Sequence, residues 1–132
     1  MATFPAIAHV AITVSNLEKS AAWYQSLFGS APVLDEDEEG GTFHHTVFEL
    51  AGGMLFGLHA HTGSNADGRF DERAVGLDHV GFACTQDELR TWQDRLDAAG
   101  IPHSGIRHAH YGSGLSFRDP DNIALEFFAP PA

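Results

Sequence analysis

The sequence predicts an α+β fold built from two tandem βαβββ modules. Three observations lead there: a strand followed by a helix at residues 7–29, the same opening again at residues 76–100, and a nearly constant offset between equivalent landmarks. His79 follows His9 by 70 residues, Gly100 follows Gly29 by 71, and Phe117 follows Phe48 by 69. An offset held across a whole module is the mark of an internal duplication. The modules are read as residues 7–62 and 76–130 of a single domain spanning 1–132, joined by a polar linker at 63–75.

Each element has its own local reason. Ile7 to Val14 alternates Val10, Ile12 and Val14 with His9, Ala11 and Thr13, the period of a strand packed on one face. Ser15 and Glu18 have the spacing of a capping box, and Leu17, Ala21, Tyr24 and Leu27 or Phe28 then recur at helical intervals up to Gly29. Short strands are expected near Ala31 to Leu34, from Thr42 to Leu50, and from Met54 to His59 after the Ala51-Gly52-Gly53 turn. The acidic run Asp35 to Glu39 is read as a solvated loop, since it lacks the spaced ligands of a calcium loop. In the second module, Gly76 to Cys84 is a strand, Thr85 and Glu88 form another capping box, and Leu89, Trp92, Leu96 and Ala99 make a helical stripe that stops at Gly100. Three strands follow, about Ile101 to Ile106, Gly114 to Arg118 and Ile123 to Phe128, the last two joined by the Asp119-Pro120-Asp121-Asn122 turn.

Composition narrows the function classes. Seven basic residues against 18 acidic ones give a net charge of −11, which repels phosphate backbones and anionic lipid heads, so neither nucleic acid nor membrane is an expected partner. The lone Cys84 excludes an internal disulfide and a cysteine-rich zinc site, and its strand parity with Val80 and Phe82 makes it a core-facing thiol. With no basic segment leading into an apolar run, the chain reads as cytoplasmic. Nine histidines, more than all Lys and Arg together, are the unusual feature.

The repeated module with a histidine on each opening strand, the Asp-Pro-Asp-Asn turn, and Glu126 in the closing Ala124-Leu125-Glu126-Phe127-Phe128 strand resemble the vicinal oxygen chelate superfamily. That superfamily includes glyoxalase I, bleomycin-resistance proteins, fosfomycin-resistance thiol transferases and extradiol dioxygenases. The resemblance runs from about Ile7 to Phe128. It implies strands curled around a cavity, a homodimer, and metal ligands on the opening and closing strands. Carried onto this chain, those positions are His9, His79 and Glu126, with Gly57 at the fourth place, 69 residues before Glu126. Two histidines and a carboxylate suit one divalent ion, Fe, Mn, Ni, Co or Zn, with positions open to water or substrate. A carboxylate embedded among Leu125, Phe127 and Phe128 is costly unless paired or bound to a cation.

Around that trio the expected cavity wall is His45, Gly57, His59 and His108, and the expected catalytic groups are His110, Tyr111 and Ser116. Ser116 stands four residues before the turn proline, where the ring-cleaving branch carries tyrosine. His110 and Tyr111 lie in the stretch Arg107 to Gly114, from which an acid or base could reach a bound molecule. The expected function is metal-dependent chemistry on a small organic substrate chelated through vicinal oxygens, by dioxygenase, lyase or isomerase, or thiol-transfer reactions. The alternative is a metal-free protein of the bleomycin-resistance type that sequesters an apolar or aromatic small molecule.

Overall fold

The computed structural model describes residues 3–63 and 68–132. It resolves into two units, 1–68 and 69–132, each a βαβββ module. The first carries β1 (His9–Thr13), α1 (Leu17–Phe28), β2 (Leu34–Glu38), β3 (Phe43–Glu49) and β4 (Leu55–His61), and its sheet has the order β1-β4-β3-β2. The second carries β5 (Val80–Ala83), α2 (Gln86–Ala98), β6 (His103–Ala109), β7 (Gly112–Arg118) and β8 (Ala124–Ala129), in the order β5-β8-β7-β6. In each, the opening strand runs parallel to the closing strand and the other pairings are antiparallel.

One face of each sheet is closed by its helix. In module 1, Ile12, Phe48, Phe56 and Leu58 are buried with Tyr24, whose ring lies 5.2 Å from Phe56, while Phe28 lies 5.2 Å from Phe48. In module 2, Leu89 and Leu96 of α2 are buried along with Leu115, Phe117, Leu125 and Phe127 of the sheet, and Trp92 stacks on Phe127 at 4.4 Å. The opposite faces, which carry His9, His45, His59 and Glu126, are left open by these helices.

The caps differ in fidelity to the sequence. Thr85 and Glu88 make the expected reciprocal box, but α1 is capped by Asn16, whose side chain accepts from the Lys19 amide at 3.0 Å. Asn16 displaces Ser15 because either short polar side chain can fill the role and the chain enters α1 one residue later. The Asp119–Asn122 turn forms around the Asp119 carboxylate, which accepts from the amides of Asp121 and Ile123, both at 2.8 Å. Of the expected linker, residues 64–67 lie outside the described residues. Its later part is strapped to module 2 at that turn: the Phe70 amide donates to the Asp121 carbonyl, and the Asn122 side-chain amide donates to the Phe70 carbonyl.

The acidic run corrects the sequence reading. It is not a loop: four of its acids form most of β2, and the strand expected near Ala31 to Leu34 begins only at Leu34. Acids disfavour strands in isolation, but tertiary partners override that preference. His44 on β3 bridges Asp35 and Asp37 at 2.5 and 2.8 Å, while His45, on the other face, reaches Glu38 at 3.0 Å.

The His44 bridge makes the stability of module 1 depend on pH. Asp35 and Asp37 hold the His44 imidazole above its ordinary value, and His44 and Thr46 hold Asp35 below its own. A raised histidine contributes fully below about pH 6.5 and loses its contribution as pH rises through the folded value. The depressed aspartate contributes above about pH 3.9 and fails as pH falls below that. His44→Ala is therefore expected to destabilise the metal-free protein at pH 5.5 by about 0.5–1 kcal/mol, the range for solvent-screened pairs, and by far less at pH 9. Urea unfolding in chelator at both pH values measures the difference.

Candidate metal and substrate site

On β8, Leu125, Phe127 and Ala129 turn into the core, while Ala124, Glu126 and Phe128 turn to the open face. Glu126 has Gly81 beside it on β5 and Ser116 opposite it on β7. Room for its carboxylate comes from glycine: a Cβ at Gly81 would lie 3.5 Å from one carboxylate oxygen, and a Cβ at Gly114 only 3.2 Å from the other.

His79 precedes β5 by one residue and turns its Nε2 to within 3.3 Å of Glu126 Oε1. Its Nδ1 lies 2.7 Å from the Asp78 carboxylate. Two donors bound to one ion at about 2.0–2.2 Å are roughly 3 Å apart, so this pair needs little adjustment to share a cation. With Nδ1–H donating to Asp78, the neutral ring presents the lone pair of Nε2 toward Glu126, the carboxylate-histidine arrangement that orients metal ligands. Asp78 was not foreseen; its only signal in the sequence is its place directly before His79. Asp78 also raises the His79 pKa, partial burial working against it.

A cleft of about 240 Å³ opens here, lined by Asp78, His79, Ser116, Arg118 and Glu126 together with Glu72. Arg118 is held by Glu72 through two hydrogen bonds of 2.8 and 2.7 Å, and the guanidinium pulls the Glu72 carboxyl down to about 2. The cation at the cleft is thus neutralised by an internal partner. Arg107 shares the open face by strand parity, since it pairs with Gly114.

Of the expected catalytic groups, only Ser116 lines this cleft. His110 and Tyr111 form the two-residue turn between β6 and β7, the Ala109–Gly112 pair closing it, so this stretch is a tight hairpin. Tyr111 stacks at 6.3 Å on Phe128, two residues beyond Glu126 on the same face. His108 pairs with Ser113, and its Nδ1 lies 2.7 Å from the Ser113 hydroxyl. That parity is shared with buried Leu115 and Phe117, so His108 stands on the helix side of the sheet. A register shift between His103 and Ile106 accompanies this strand, with Gly105 at φ +73° inside it, and a bulge of that kind reverses side-chain alternation.

In module 1, the corresponding face carries His9, Gly57, His59 and His45. Ala11 pairs with Gly57, Thr13 with His59, and His45 with His59 across the next strand. A side chain added at Gly57 would meet only Ala11 Cβ at 3.6 Å and the His59 ring at 3.8 Å. Burial, then neighbouring His45, His61 and His9, lower the His59 pKa.

These features agree with what the chain matches. The model of one family, the Glyoxalase/Bleomycin resistance protein/Dioxygenase superfamily, covers residues 6–127. The chain belongs to this superfamily. Among solved members, a glyoxylase/bleomycin resistance protein/dioxygenase domain from Frankia sp. EAN1pec is 31% identical, with TM-score 0.86 over 98% of this chain and all of that one. The metallothiol transferase FosB of Shouchella clausii is 26% identical over 125 residues, 91% of this chain and 77% of that protein. The fosfomycin resistance protein FosX of Listeria monocytogenes, solved with Mn(II) and 1S,2S-dihydroxypropylphosphonic acid, has the same fold at 20% identity and TM-score 0.71, over 98% of this chain and 95% of that one. The superfamily fold is therefore established for the chain. Among the described residues, no helix is long and apolar enough to cross a membrane.

Asp78 supplies a test of the metal reading. Asp78→Asn keeps the shape but removes the charge behind His79, and metal affinity is expected to fall about 10–100-fold. Calorimetric titration with Mn(II) measures it.

Proposed function

We propose that this superfamily member is a divalent-metal-dependent enzyme acting on a small organic substrate with vicinal oxygens, and that His79, Glu126 and His9 are the metal ligands. The observation that carries the reading is the His79–Glu126 pair, 3.3 Å apart, backed by Asp78 and flanked by glycine. A bound divalent ion would supply Lewis acidity toward substrate oxygens. The protein's own contributions are separate. Asp78 holds the proton on Nδ1 of His79, Glu126 provides an anionic donor at the floor of the cleft, and Ser116 offers a hydroxyl beside it. Arg118, engaged by Glu72, is positioned at the cleft without net positive charge.

Homodimeric assembly, with ligands drawn from one chain or from two, belongs to the same proposal. The FosB and FosX relatives favour group addition or transfer over ring cleavage, as does Ser116 where the ring-cleaving branch has tyrosine. The test is to strip the protein with chelator, restore Mn(II), Ni(II), Fe(II) or Zn(II) singly, and assay epoxide-bearing phosphonates with thiols, hemithioacetals and catechols. Metal-dependent turnover in one class supports the proposal. Tight binding of an aromatic ligand with no metal uptake would place the chain with the metal-free, sequestering members instead.

A further inference from the structure

Adjacent His44 and His45 face opposite sides of the first sheet, and each meets two acids of β2, yet the two clusters are built differently. His44 uses both ring nitrogens, Nε2 toward Asp35 and Nδ1 toward Asp37. Carboxylates on opposite edges of one ring cannot both reach an ion bound to a single nitrogen; this arrangement suits a protonated imidazolium. On the other face, Glu36 is directly across from His45 in the β2–β3 register and Glu38 is two residues along. One donor atom each from Glu36, Glu38 and His45 lies within 4.8 Å of the others. All three therefore converge on one point in front of the strand pair.

From this geometry we infer that Glu36, Glu38 and His45 form a second divalent-cation site, built entirely from residues of module 1. The two glutamates bring two negative charges and the imidazole one borderline nitrogen, a set that favours Zn(II) over the oxygen-seeking Ca(II). His45 Nε2 and Glu38 Oε1 are already 3.0 Å apart, within the roughly 3–3.5 Å between neighbouring zinc ligands, and the exposed Glu36 side chain is free to rotate toward them. A further nitrogen stands next in the same row: His59 is directly opposite His45 on β4, with ring centroids 5.7 Å apart. The cluster is thus a mixed imidazole and carboxylate array held by strand pairing, with a second histidine behind it, and not a surface patch of acids alone.

The experiment uses the full chain in a His79→Ala/Glu126→Gln background, so that failure of the proposed catalytic site cannot be mistaken for failure of this one. Calorimetric titration with Zn(II) is expected to show one ion per chain, and adding Glu36→Gln and Glu38→Gln should weaken it at least about tenfold. His45→Ala alone should do the same, which covers the case in which the double glutamine variant fails to fold. His44→Ala, on the opposite face, should leave Zn(II) affinity unchanged, and Ca(II) should bind far more weakly than Zn(II). Absence of Zn(II) uptake in the background protein, or uptake indifferent to Glu36, Glu38 and His45, overturns the site. Neither result bears on the His79–Glu126 pair, which is read from metal uptake in a Glu36→Gln/Glu38→Gln background that keeps His79 and Glu126.

Discussion

Glu126→Gln is expected to lower Mn(II) affinity by about 100-fold or more, beyond the 10–100-fold expected for an outer partner such as Asp78. Glutamine keeps the volume that Gly81 and Gly114 accommodate, so the change removes charge and leaves shape. Because the carboxylate faces an open cleft and not the helix-covered core, the metal-free variant should keep the parent's circular dichroism and its melting temperature in chelator. Titration in a Glu36→Gln/Glu38→Gln background removes any contribution from module 1. Undiminished Mn(II) affinity there would mean that Glu126 is not a ligand, and the proposed chemistry would have to be abandoned. His79→Ala should reproduce the loss.

The largest effect on stability is expected at Gly112, the first residue of β7. Its φ is +146°, a conformation that side chains rarely adopt, and a Cβ there would lie 2.3 Å from the Phe128 ring and 2.6 Å from the Ala129 carbonyl oxygen. The backbone contact cannot yield by a rotamer change. Gly112→Ala is therefore expected to cost on the order of 3 kcal/mol or more, combining backbone strain with overpacking, and to lower the melting temperature by about 10 °C. Gly105 also has positive φ, +73°, but nothing lies within 4 Å of its Cβ position, so Gly105→Ala isolates the strain and should cost only about 1–2 kcal/mol. Equal losses at the two positions would show that the close approach at Gly112 does not matter.

The parts of the molecule legible in the sequence are those set by local chemistry or by repetition. Thr85 and Glu88 announce a helix start by themselves, the Asp119–Asn122 turn is written in its residue types, and the constant offset between His9 and His79 exposes two modules. Glu126 stood out because a carboxylate alternating with Leu125 and Phe127 demands a partner. What escaped depends on partners distant in sequence. Asp35 to Glu38 become a strand only because His44 and His45 stand opposite them. The orientation of His108 follows from an irregularity in β6, and the role of Asp78 needs the direction of one imidazole, which no periodicity encodes.

The place of β2 at the edge of its sheet has a consequence for assembly. An unpaired strand edge is a template for another chain, and proteins that avoid fusing there load the edge with charge. Here the outermost strand carries Asp35, Glu36, Asp37 and Glu38, with Glu39 directly after it, so two copies meeting edge to edge would set five like charges against five. At neutral pH such a union is repelled at every step of the ladder, which protects against runaway fibre growth as well as against a mispaired dimer. Whatever surface two copies use to associate, it has to be one that keeps these acidic borders apart, and acidification toward the carboxylate range should weaken that protection first.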